Sequence, residues 1–199
     1  MKGLPCLLSS ERLSTETILG LPHHPISRDW YAKHMPFPAC YLVALDPVAL
    51  HFSVQVAHHP VYDRSCRQGE FREGLWSKDC AELFVREADS NRYQEFNLAP
   101  SGAWWSAWFE GSRKRIGVAS PSLACAAAEI TADGWKAWLS IDRTQLSLSP
   151  HALRQGAANV TLILNHPDEH FYSVADLGAG EPDFHRIDRF LPWVTQENG

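Results

Sequence analysis

Residues 75–115, LWSKDCAELFVREADSNRYQEFNLAPSGAWWSAWFEGSRKR, decide the predicted fold because they contain three strand-like segments separated by short polar turns. Successive side chains of a β-strand point to opposite faces, so residues taken two at a time sort each segment into two faces. One face is apolar and the other mixes acidic, amide, hydroxyl and aromatic groups. The predicted apolar face holds Ala81, Leu83, Val85, Gln94, Phe96, Leu98, Trp105, Ala107 and Phe109, and the mixed face holds Cys80, Glu82, Phe84, Tyr93, Glu95, Asn97, Trp104, Ser106 and Trp108.

The mixed face carries two kinds of group that a pyranose ring requires side by side. A sugar presents apolar C–H patches, which pack on aromatic rings, and hydroxyls, which bind carboxylates and amides. We therefore expect this face to bind a small saccharide rather than to form a reaction centre.

Short alternating segments continue outside this stretch. Residues 49–57 place Leu50, Phe52, Val54 and Val56 inward and His51, Ser53 and Gln55 outward. Further strands are predicted at 40–45, 123–130, 135–141, 160–164 and 171–175, and an Asp-Gly pair predicts a hairpin turn at 131–134. Helical signals are limited to short turns at 63–68 and 143–148.

This pattern predicts an all-β, antiparallel β-sandwich of immunoglobulin-like or jelly-roll type with few short helical turns. We expect a single domain over residues 1–199, with a core at about 42–190 and irregular termini.

Composition excludes several classes of function. The net charge is −5 and the main basic cluster is 113–115, far from the stripe that nucleic acid requires. No apolar run is long enough for a membrane helix, and the first residues lack the pattern of a secretion signal. Five cysteines without a C-x-x-C pair argue against a disulfide framework. We therefore predict a cytoplasmic protein with no nucleic-acid or membrane partner.

The segments WSKDCAELF (76–84), YQEFN (93–97) and PDFH (182–185), the last before Phe190, resemble the family 9 carbohydrate-binding modules and the related DOMON-like domains. The resemblance extends over about 42–190. It implies a β-sandwich that holds a terminal sugar between two aromatic side chains, with polar groups on the sugar hydroxyls. It also implies structural calcium, although the sequence contains no convincing oxygen-ligand loop.

Carried over position by position, the resemblance implies that Trp76 is the first aromatic wall and Glu82 the carboxylate. Asn97 matches a polar position that is commonly Arg, Phe184 matches a second wall that is usually Trp, and Glu181 matches an expected amide. To this candidate site the residue pattern adds Glu95, Trp104 and His185, whose ring we expect Asp183 to orient.

Other interpretations remain open. Glu82 and Glu95 are candidates for the acid/base pair of a weak glycosidase, although the chain lacks the long loops of a deep cleft. The DOMON resemblance implies haem or another redox cofactor as a further alternative, which would need two histidine ligands. Glu82 paired with Arg113 or Arg92, and tryptophans that fill the core, are the structural alternatives to a binding site. We predict no catalytic residue, no metal and no cofactor as the first choice.

Overall fold

The computed structural model describes residues 3–146 and 155–197, and this part of the chain is mostly β-strand. The strands are β1 (Leu4–Leu8), β2 (His24–Pro25), β3 (Arg28–Asp29), β4 (Ala39–Leu45), β5 (Ala49–Val56), β6 (Cys80–Arg86), β7 (Arg92–Leu98), β8 (Trp104–Glu110), β9 (Arg115–Val118), β10 (Ala124–Thr131), β11 (Gly134–Asp142), β12 (Ala157–Leu164), β13 (His170–Ser173) and β14 (Leu191–Glu197). The predicted strand segments are confirmed to within a few residues at each end.

Helical structure is short, as the sequence predicts, but the helical turn predicted at 63–68 is absent. Helix α1 covers Thr15–Gly20, and 3₁₀ turns cover Leu75–Ser77, Pro121–Leu123, Arg143–Gln145 and Ile187–Arg189. The Ser14 hydroxyl caps α1 by accepting the Thr17 N–H at 3.1 Å. The predicted turn at 143–148 is thus present over Arg143–Gln145, while residues 147 and 148 lie outside the described ranges.

The strands form one large mixed sheet in the order β10-β11-β5-β4-β1-β14-β12-β6-β7-β8-β9. The prediction of a purely antiparallel architecture is wrong, because β1 pairs in parallel with both β14 and β4. Outside the predicted core of about 42–190, the structure forms regular strands at β1 and β14. Pro5 and Pro192 interrupt the alternation of these strands, and parallel pairing between distant segments leaves no local sequence signal.

The β1–β14 junction divides the sheet into a first half, β10 to β1, and a second half, β14 to β9. One face of each half contributes to a single buried apolar cluster. From the first half this core takes Leu4, Tyr41, Val43, Phe52, Val54 and Leu139, and from the second half Leu83, Phe96, Leu98, Trp104, Val160 and Leu162. The alternation predicted for β5 is confirmed on this face.

The outer faces of both halves are also covered. On the first half, Leu13 and Ile18 pack on Leu42 and Ala44 of β4. His51 and Ser53 point to this outer face as predicted, but they are buried rather than exposed. On the second half, the segment 175–190 folds back over β6, β7 and β8 and packs Phe184, Ile187 and Phe190 against Phe84 and Tyr93. The candidate site lies at the edge of this cover.

Candidate functional site: an aromatic and acidic cavity

The site forms on the outer face of β12, β6, β7 and β8, where strand register brings distant residues into rows. Thr161, Glu82, Asn97 and Trp105 lie opposite one another across these strands. Glu95 lies in the next row and is a diagonal neighbour of Glu82 on the adjacent strand. Side chains of opposed and diagonal residues on one face are within reach of each other. The period of two therefore places both glutamates on one patch, as the sequence predicts.

A cavity of about 600 Å³ opens over this patch. Its volume is within the range of about 300–1,000 Å³ that is typical of small-ligand sites. Aromatic, acidic and basic side chains share its lining. The lining residues are Glu73, Trp76, Glu82, Glu95, Trp105, Phe109, Arg113, Arg115, Ile163, Phe171, Pro182, Phe184 and His185.

The structure brings five of the eight residues named from the sequence to this cavity, namely Trp76, Glu82, Glu95, Phe184 and His185. Trp76 is 40% exposed, and its ring lies 5.4 Å from that of Trp105. Phe184 is mostly buried and packs edge-on against Phe171 at 6.1 Å. Among the described residues, no ring contact joins Trp76 to Phe184, so these two walls are not collapsed onto each other.

The placement of Trp104 on the mixed face is wrong, and its neighbour Trp105 takes that position. The connection 99–103 pairs Leu98 with Trp104, so Trp104 shares the core face with Phe96 and Leu98. Trp105 consequently lies opposite Asn97 and lines the cavity. Alternation alone does not choose between two adjacent tryptophans, because that choice depends on the length of the hairpin connection.

Asn97 and Glu181 do not line the cavity. Asn97 is fully buried, and its amide donates a hydrogen bond to Glu95 Oε1 at 3.0 Å. Asn97 therefore positions the Glu95 carboxyl, which lines the cavity. Glu181 is exposed, and its backbone carbonyl accepts a long hydrogen bond of 3.5 Å from Arg186. Sequence spacing placed Glu181 near the site, but it is not one of the residues that line the cavity.

Glu82 and Glu95 are each only 4% exposed, and this burial dominates their ionisation. Burial raises the pKa of Glu82 well above its usual value, and the charge of Glu95 raises it further, against a hydrogen bond from Thr161 Oγ1 at 2.9 Å. Burial likewise raises the pKa of Glu95 to about 7, against the Asn97 hydrogen bond and the charge of Arg113. A carboxyl in this range accepts hydrogen bonds when ionised and donates one when protonated.

His185 is held over the site by Tyr93 rather than by Asp183. The Tyr93 hydroxyl accepts the backbone N–H of Arg113 at 3.1 Å and lies 2.6 Å from His185 Nδ1. Burial, followed by the charge of Arg113, lowers the pKa of His185 to about 4, so the ring is neutral near pH 7. The other ring nitrogen, Nε2, lies 3.9 Å from Glu95 Oε2. The Asp183 carboxylate instead accepts the His185 backbone N–H and an Arg113 N–H.

Two arginines that the sequence did not assign to the site lie on the cavity rim. Arg113 pairs with Asp183 at 2.8 Å and not with Glu82, and Arg115 pairs with Glu73 at 2.6 Å. The only sequence signal for them is the basic run 113–115 directly after β8. Phe171, Ile163 and Glu73 were also missed, because only the folded chain brings them to this face.

The family resemblance also implies a structural calcium site. Calcium takes six to eight oxygen ligands, usually including several carboxylates. The described ranges contain no group of three or more His, Cys, Asp or Glu side chains that could hold a metal ion.

The fold is similar to the folds of several solved structures. The chain matches a candidate carbohydrate-binding protein from Bacteroides uniformis with a TM-score of 0.75 at 14% identity, over 98% of this chain and 100% of the other. It also matches a family 9 carbohydrate-binding module from Caldicellulosiruptor kristjanssonii, seen with cellotriose (TM-score 0.62) and with glucose (TM-score 0.61), each at 9% identity over 98% of this chain and 95% or 97% of the module.

The chain thus has a family 9 carbohydrate-binding-module-like fold, and the predicted resemblance is confirmed at that level. No protein-family model matches the sequence, and no curated protein sequence matches it significantly. A search of the described helices for one of sufficient length and apolar character to cross a bilayer found none.

Proposed function

We propose that this chain is a non-catalytic β-sandwich module that binds the end residue of a small saccharide in the cavity above β6, β7 and β8. The observation that carries the proposal is the combination, in one cavity of about 600 Å³, of aromatic walls and two buried carboxyl groups. A ligand for such a site must offer apolar faces and hydrogen-bonding groups together, as a sugar ring does.

The aromatic part of the argument depends chiefly on Trp76. An indole that is 40% exposed beside a cavity leaves apolar surface in water when no ligand is bound. The Trp105 ring, 5.4 Å away and tilted by 60°, supports it from one side. A pyranose stacked on Trp76 would cover this surface, and Phe184 would meet the sugar from the segment 182–185.

The polar part of the argument depends on Glu82 and Glu95. Each carboxyl receives a hydrogen bond from a neutral side chain, Thr161 for Glu82 and Asn97 for Glu95, and retains lone pairs toward the cavity. Sugar hydroxyls are the donors that would use this remaining capacity. The fold neighbour from Caldicellulosiruptor kristjanssonii, which binds glucose and cellotriose, supports the same class of ligand.

Isothermal titration with glucose, cellobiose and cellotriose tests the proposal. We expect measurable binding, and Trp76→Ala should weaken it by about 10- to 100-fold, because loss of an aromatic anchor typically costs about 1–3 kcal/mol. Trp138→Ala is the matched control, since Trp138 is partly buried on the first half of the sheet and does not line the cavity. Absence of binding across this panel by folded protein would contradict the proposal.

Glycoside hydrolysis is a second candidate, favoured by one observation. Two carboxyls with raised pKa values lie on adjacent strands of one cavity, an arrangement that supplies a general acid near neutral pH. Turnover of aryl glycosides that is abolished by Glu95→Gln would support it, and no turnover at glycoside concentrations that saturate binding would dismiss it.

Haem binding in this cavity would require two histidine ligands, and the residues that line the cavity include one histidine, His185. The cytoplasmic location stays a prediction.

A further inference from the structure

The charges around the cavity divide into a balanced rim and an unbalanced floor. At the rim, the Arg113 guanidinium lies 2.8 Å from Asp183, and the Arg115 guanidinium lies 2.6 Å from Glu73. Each rim arginine therefore already has an acidic partner. The charge of Arg113 still lowers the pKa values of Glu82 and Glu95, so the rim offsets part of the negative charge of the floor.

The floor contains two acids, Glu82 and Glu95, and Arg113 acts on both through its charge without forming an ion pair with either. Within the described ranges, no lysine or arginine forms an ion pair with Glu82 or Glu95. Their hydrogen-bond donors, Thr161 and Asn97, are neutral. The ring of His185 lies 3.9 Å from Glu95, and burial keeps that ring uncharged near neutral pH.

Buried acids of this kind are costly to ionise unless a cation joins them. Asp46, the buried acid of the first half, shows how the same fold satisfies a structural carboxylate, with three backbone N–H groups and a histidine. Glu82 and Glu95 lack such saturation and face an open cavity instead. The unmet requirement is a positive charge that can also donate hydrogen bonds.

We propose that the cavity selects an amino sugar over the corresponding neutral sugar, with the sugar ammonium bound between Glu82 and Glu95. This inference rests on the proposed saccharide-binding function and specifies its ligand class. An ammonium group supplies three N–H donors and the missing positive charge, whereas a hydroxyl supplies one neutral donor.

Titration calorimetry with glucosamine, glucose and N-acetylglucosamine at near-neutral pH tests the proposal. The three probes share the ring, and only glucosamine carries a charge. We expect glucosamine to bind at least about tenfold more tightly than glucose, with an advantage that decreases as salt is added. N-acetylglucosamine should lose that advantage, because acetylation removes the charge.

Proton release gives a second, independent readout. At about pH 6 the Glu95 carboxyl, whose pKa is raised to about 7, is mostly protonated in the free protein. Binding of a cation must ionise it, so glucosamine should release protons into the buffer and glucose should release fewer. Titrations in buffers of different ionisation enthalpy measure this difference directly.

Conservative variants locate the effect. Glu95→Gln and Glu82→Gln should each reduce the preference for glucosamine at least about fivefold, and Glu129→Gln, at an exposed acid on β10 outside the cavity lining, is the matched control that should leave it unchanged. Glucose binding without a glucosamine preference would overturn the inference while leaving the proposed function intact. A preference unaffected by both cavity variants would also overturn it. Folded protein that binds none of the three sugars would refute the proposed function, and this inference with it.

Discussion

Both halves of the sheet bury carboxylates, but the hydrogen bonding of these carboxylates and the direction of their pKa shifts differ between the halves. Asp46, which follows β4 and is 2% exposed, accepts backbone N–H groups from Leu13, Val48 and Ala49 at 2.7–2.8 Å and lies 2.9 Å from His51 Nε2. Burial would raise its pKa, but these hydrogen bonds outweigh burial and lower it. Asp46 is therefore a fully satisfied structural charge.

Glu82 and Glu95 on the second half are nearly as buried but far less satisfied. Each receives a hydrogen bond from one neutral side chain, and burial raises both pKa values. The number of hydrogen-bond donors therefore distinguishes a structural acid from a candidate binding acid in this fold. The structural acid is saturated by donors of its own chain, whereas the binding acids keep their acceptor capacity for a ligand.

The largest expected effect is on the structural side of this comparison. Asp46→Ala leaves the buried N–H of Leu13, the partly buried N–H groups of Val48 and Ala49, and His51 without their acceptor, so we expect it to lower the free energy of unfolding by about 3–5 kcal/mol in urea titrations. Asp188→Ala, at an exposed position, is the control and should change stability by less than about 0.5 kcal/mol. A loss below about 1 kcal/mol for Asp46→Ala would show that these hydrogen bonds do not make Asp46 a structural charge.

The second prediction concerns the pH dependence of stability at the cavity floor. The pKa of Glu95 is raised from 4.5 to about 7 in the folded protein, so the folded state binds more protons than the unfolded chain between these values. Stability should therefore fall as pH rises through this window, by up to about 3 kcal/mol from this group. Glu95→Gln should remove that part of the slope in urea unfolding measured from about pH 4 to 8. An unchanged slope would contradict the assignment.

An intermediate effect is expected at Thr161, the donor to Glu82. Thr161→Val keeps the shape of the side chain but removes the hydroxyl, so we expect a loss of about 1–2 kcal/mol in the free energy of unfolding. Thr161→Ser retains the donor and should recover most of the hydrogen-bond contribution. Equal losses in the two variants would mean that packing, and not the bond to Glu82, determines the effect.

The smallest effect is expected at the rim. Arg115 and Glu73 are about half exposed, and water and salt screen such pairs. Arg115→Gln should therefore lower the free energy of unfolding by less than about 1 kcal/mol, and added salt should reduce the difference. A larger, salt-insensitive loss would place Arg115 among the structural charges.

The candidate site was predictable to the extent that it depends on alternation along a strand. Glu82 and Glu95 could be assigned to one face because the side-chain period of two holds within β6 and β7. Trp104 was misassigned because the relation between β7 and β8 depends on the connection 99–103, which the period does not determine. Arg113 was recognised only as a partner for Glu82, yet it pairs with Asp183, 70 residues away in the chain.

The sequence by itself determined the strands, the chemical contrast between the two faces of 75–115 and the resemblance to a sugar-binding fold, because each of these depends on residues near one another in the chain. Only the tertiary structure decided that β1 and β14 join in parallel and that Trp105 rather than Trp104 faces the cavity. It also decided how the segment 182–185 reaches the site, where His185 meets Tyr93 across 92 residues of chain. Contacts of this kind arise from long-range packing and register, which local patterns do not encode.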